Sequence, residues 1–155
     1  MRKSLAFIYL CLMAIGVSAQ TSDDVAFYQS IWGMEKRAIV EAYMDGLTME
    51  EKSAFWTEYD AYELSRKDLG KERVEILGDY AENYGSLSDD KAADLINRAV
   101  ANNIAIQKLL KKTFKKMSKS VGAVKAAKFV QLENYFLINI QMLIQESIPF
   151  VDEFK

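Results

Sequence analysis

Four stretches carrying the apolar period of an α-helix follow one another between Asp24 and Ser147, and none alternates apolar and polar residues as a strand would. The first spans about Asp24 to Met44, opened by Ser22-Asp23-Asp24 and closed by Asp45-Gly46. The second starts after Thr48, whose hydroxyl can cap the backbone while Glu51, three residues on, reaches back to complete a capping box. Nothing interrupts it until Gly85, so about 36 residues give a rod of roughly 54 Å. The third follows Ser88, with Asp89 and Asp90 favourably placed against the helix dipole, and fades near 118–122. The fourth runs from about Ala123 to Ser147, limited by Pro149. The pattern predicts an all-α fold of four helices arranged as long antiparallel hairpins.

Two of these helices have unusual faces. The second carries a seam of Phe55, Tyr59, Tyr62, Arg66, Leu69, Arg73, Ile76, Tyr80 and Tyr84, spaced mostly four-three as in coiled coils. Arg66 and Arg73 lie one heptad apart in it; they can bury their stems and keep the charge wet, as in a bundle that is thin or open there, or pair with carboxylates on the first helix or on another subunit. The fourth helix, from Phe129 through Ile144, has apolar residues on far more than one face. Its longest uncharged run, Asn134 to Gln145, is too short and too polar to cross a bilayer. Either a second subunit covers the excess, through helix four or the helix-two seam, or that surface holds something apolar.

The N-terminus changes the picture of where the chain works. Met1-Arg2-Lys3-Ser4, an apolar run from Leu5 to Val17 and the small residues Val17-Ser18-Ala19 are the three parts of a secretory signal peptide. Cleavage is expected after Ala19, leaving residues 20–155 as a single helical domain with no integral membrane segment. The one cysteine, Cys11, lies inside that leader, so no disulfide is available and packing must supply the stability.

Charge is segregated. From Gln20 to Asp90 there are 17 acidic and seven basic residues, whereas Lys91 to Lys128 holds ten basic residues and one acid, Asp94. Within the basic stretch Lys108, Lys111, Lys112, Lys115 and Lys119 form one stripe at helical spacing, with Lys116 beside it. Leu110, Phe114 and Met117 form an adjacent apolar stripe. Either acidic helices pack beside the basic one and the fields cancel locally, or the basic face meets an anionic partner such as lipid head groups or an unfolded chain, where charge speeds encounter and apolar contact slows release. The same stripe also fits the solvated face of an ordinary amphipathic helix. Nucleic acid is a poor partner for an exported chain of net charge −2.

Much chemistry is missing. The sequence has no histidine, which removes His-based triads and the Glu-x-x-His ligand pairs of di-iron bundles. It has no glycine-rich phosphate loop, and an EF-hand laid over Asp45-Gly46 would put Tyr43 and Lys52 at ligand positions. Glu50-Glu51 and Asp89-Asp90 are explained by capping. No enzyme activity, cofactor or metal is expected.

The two helix starts are alike: Leu47-Thr48-Met49-Glu50-Glu51 and Leu87-Ser88-Asp89-Asp90-Lys91 lie 40 residues apart. This resembles the doubled Leu-Thr-x-x-Gln motif of the Spy/CpxP family of periplasmic proteins, with Glu51 and Lys91 standing where the motif has glutamine. Phe55-Trp56-x-x-Tyr59, Tyr80-Ala81-Glu82-Asn83-Tyr84-x-Ser86-Leu87-Ser88 and Gln131-Leu132-Glu133-Asn134 resemble the Bacteroidetes-type branch, over most of Leu47 to Val151. The resemblance implies a cradle-shaped homodimer in the periplasm that binds unfolded or misfolded envelope proteins without ATP. It also implies an alternative, a sensor that binds a membrane-bound stress-signalling protein and regulates an envelope-stress or extracytoplasmic sigma-factor response. The candidate partner-binding residues are Lys108, Lys111, Lys112, Phe114, Lys115, Lys116, Met117 and Lys119, with Arg66 and Arg73.

Overall fold

A computed structural model describes residues 35–151; the expected leader and the first part of the first predicted helix, residues 24–34, lie outside them. The described residues form four α-helices and no strand, so the protein is all-α. Helix α1 is Lys36–Tyr43, α2 is Met49–Asn83, α3 is Asp89–Val121 and α4 is Ala123–Ser147, with a single 3-10 turn at Tyr84–Ser86. At 1.5 Å per residue α2 and α3 are each about 50 Å long.

The local signals explain the boundaries. Thr48 Oγ1 accepts from the Glu51 amide at 3.2 Å and the Glu51 carboxylate accepts from the Thr48 amide at 2.8 Å, closing a full capping box on α2. Ser88 Oγ accepts from the Lys91 amide at 3.3 Å and opens α3 in the same manner. Gly122 has φ +83°, a conformation that side chains with a Cβ resist, and it alone separates α3 from α4.

Contacts divide the chain into two compact units, one of them residues 47–130. Here α2 and α3 form an antiparallel hairpin: Lys116 bonds Glu58, Asn102 bonds Glu72 and Arg98 bonds Asp79, each step up one helix matching a step down the other. The core is uneven along that hairpin. Around Phe129, on the first turns of α4, the rings of Phe55, Tyr59 and Tyr62 pack edge-on at 5.6, 5.9 and 5.6 Å. Leu110, Met117, Val121 and Ala126 are buried in the same unit. Toward the 3-10 turn the seam mixes polar and apolar residues: Arg66 and Asn102 are buried there as well as Ile76, Leu95 and Ile106. Asn102 Nδ2 donates to the Leu69 carbonyl at 2.9 Å and to the Glu72 carboxylate at 2.8 Å, which pins the register of the two helices.

The other unit takes in, among the described residues, 35–46 and 131–151. Val40 and Met44 are buried in it, as are Leu132, Phe136 and Leu137 of α4. Lys36 and Glu133 are also buried, 97 residues apart in sequence, and their Nζ and carboxylate meet at 2.8 Å. The Lys36 ammonium lies 5.7 Å from the centre of the Phe136 ring, adding a cation–π contact to the ion pair.

Candidate binding surfaces

No group of three or more His, Cys, Asp or Glu that could hold a metal occurs among the described residues. No described helix is long and apolar enough to cross a membrane.

The strongest feature is on the C-terminal half of α4. Phe136 and Leu137 anchor the helix, but Tyr135, Ile138 and Met142 stand 54–57% exposed. Their spacing of three and four residues aligns them in one row. Ile138 and Met142, with Ile148 and Phe150, line an open apolar trough edged by Gln141 and Gln145. The excess apolar surface expected from the sequence is therefore present and left exposed by the described residues. The row is almost uncharged; Glu146 is the one ionisable side chain lining the trough.

The lysines of α3 behave differently from their apolar neighbours. Lys108, Lys111, Lys112, Lys115 and Lys119 are exposed, and among the described residues none has an ion-pair or hydrogen-bond partner. Lys116 is engaged, bonding Glu58 at 3.1 Å. Met117 and Leu110 are in the core, with Met117 wholly buried, and Phe114 is half-buried. The expected apolar edge beside the lysines is thus corrected: Met117 faces α2 because Leu110, Thr113, Met117 and Val121 together make the buried seam of α3.

Arg66 is buried in the seam and Arg73 is half-buried. Arg66 forms a two-pronged bond to Glu63 of its own helix, at 3.0 and 3.1 Å. Arg73 donates to the Asn103 side chain at 2.5 Å, and burial pulls its guanidinium below its ordinary value. Of the helix-two seam, Phe55, Tyr59, Tyr62, Arg66 and Ile76 are buried, whereas Leu69, Arg73, Tyr80 and Tyr84 are half-buried.

Glu51 near the start of α2 and Lys91 near the start of α3 carry ion pairs. Lys125 Nζ holds both oxygens of Glu51 at 2.7 and 2.6 Å; this bond, and then the Thr48 amide, lower the Glu51 carboxyl below the usual range. The Arg98 guanidinium, bonded to Asp79, lowers Asp79 and is itself raised, with Lys91 also close to Asp79 at 3.6 Å. Glu51 and Lys91, the two departures from the resembled motif, are thereby tied into the hairpin. No family model, curated protein or solved structure matches the chain.

Proposed function

We propose that this is a periplasmic, ATP-independent chaperone-like protein that holds unfolded or misfolded envelope proteins by their apolar segments. The observation that carries this reading is the row Tyr135, Ile138 and Met142 on α4, apolar, nearly uncharged and open. A contiguous exposed apolar surface on a folded protein usually marks a binding site. Methionine and isoleucine flanked by glutamine fit many sequences, since Met is unbranched and adapts its shape. Export, inferred from the leader, would place this surface where ATP is scarce, and nothing in the described residues calls for a nucleotide. Self-association through the same row would give a homodimer, and clients would then compete with the second copy.

The test is light scattering of a chemically denatured client diluted into buffer, with and without the protein and without ATP. Suppression across two unrelated clients at near-stoichiometric ratio is expected. No effect on any client, together with capture of one stoichiometric membrane-anchored partner from envelope extract, would replace this reading with the stress-sensor alternative.

A further inference from the structure

We propose that the outward face of α3 docks on an anionic phospholipid surface, the helix lying along the headgroups. Five lysines carry the proposal. Lys108, Lys111, Lys112, Lys115 and Lys119 occupy an arc of about 100° and a length of roughly 16 Å at α-helical geometry. They point away from α2, because the opposite side of the helix holds the buried seam.

Their lack of partners is selective. The other cations of α3 are all satisfied: Lys91 and Arg98 by Asp79 and Asp94, and Lys116 by Glu58. Among the described residues, acids pair the cations on the flank of α3 and leave its outward face positive. A bilayer containing anionic lipid offers the complementary charge, and basic residues near such a surface are attracted to it.

Residue type and surroundings favour lipid over an acidic polypeptide. All five are lysine, a compact hydrated point charge that suits laterally mobile headgroups; a face built to fork onto carboxylates would use arginine. The apolar neighbours that a bound polypeptide would need, Leu110 and Met117, are buried. What does continue the face is Ile104, half-exposed one turn before Lys108, with Val100 one turn earlier. These aliphatic tips fit the acyl boundary beneath the headgroups, as in helices that lie on a membrane without crossing it.

The test is co-sedimentation of the purified protein with neutral phosphatidylcholine vesicles and with vesicles containing 30% phosphatidylglycerol. Binding to the anionic vesicles alone is expected, and it should vanish in 0.5 M salt, where exposed charges are screened within a few ångströms. Lys111→Gln/Lys115→Gln should weaken the partition roughly 25-fold, about fivefold per lysine. Lys52→Gln/Lys67→Gln removes the same net charge from α2 and should leave it nearly unchanged, with circular dichroism confirming that both variants stay helical. Absent or salt-insensitive vesicle binding, or equal losses in the two variants, would overturn the proposal. So would unchanged vesicle binding in the α3 variant accompanied by slower capture of an acidic client, which would assign the face to polypeptides.

Discussion

Truncating Phe129 to alanine should unlock the aromatic end of the hairpin. The ring is fully buried against Phe55, Tyr59 and Tyr62, all within 5.9 Å between centres. Returning its apolar surface to water costs about 2.5 kcal/mol. Three edge-on aromatic pairs add about 0.5 kcal/mol each at the low end. The total, about 4 kcal/mol, agrees with the 3–5 kcal/mol typical of Phe→Ala in cores. Phe129→Leu keeps most of the volume and loses mainly the aromatic contribution, so it should cost about 1.5 kcal/mol. Urea unfolding followed by far-ultraviolet circular dichroism measures both. A Phe129→Ala loss below about 1 kcal/mol, or a Leu variant as damaged as the Ala variant, would show that Phe129 is not the hub of this unit.

Three further outcomes follow from the charged contacts and the register pin. Glu133→Gln should destabilise by about 3–5 kcal/mol, since it takes the compensating negative charge from a buried ammonium, whereas Lys36→Met/Glu133→Leu should recover most of that loss in the same unfolding assay. Glu51 and Asp79 have carboxyls lowered on folding, so their stabilisation is complete above the ordinary values near 4.5 and 3.8 and is lost as pH falls through the lower folded values. The melting temperature should therefore be flat near neutrality and decline below about pH 4.5, and Lys125→Gln should make that decline shallower. Asn102→Leu should not destabilise by more than about 1 kcal/mol, but disulfide trapping between cysteines on α2 and α3 should reveal pairings shifted by a turn, because a buried Asn at such a seam fixes register at a cost in stability.

Helix positions were legible because their signals are local. Thr48 with Glu51, Ser88 with its acidic pair, Gly122 and the limit before Pro149 all act within a turn, and the observed α2, α3 and α4 end within a few residues of the expected bounds. The long-range pairing was not legible. Nothing near Lys36 points to Glu133 across 97 residues, and nothing near Phe129 names Phe55 and Tyr62 as its neighbours. Met117 was misplaced for a related reason: helical spacing sorts residues into faces but does not say which face another helix covers. The run Leu110, Thr113, Met117 and Val121, with its three- and four-residue spacing, holds that information. Arg66 found Glu63 one turn away, a local pairing available from the sequence by the i, i+3 rule. The open row on α4 was legible as an excess of apolar residues; only the fold shows that Tyr135, Ile138 and Met142 are among those left in water.

The central claim is that the α4 row touches the client, and a reporter placed in that row tests it most directly. Met142→Cys in a Cys11→Ser background gives a single thiol for an environment-sensitive fluorophore on a side chain that is already half-exposed. Adding a chemically unfolded client should shift the emission to the blue and raise it, saturably, while the same client in its native state should leave it unchanged. The same label on a Lys67→Cys side chain of α2 should stay silent. A protein that suppresses client aggregation while the label at 142 reports no change would contradict the account.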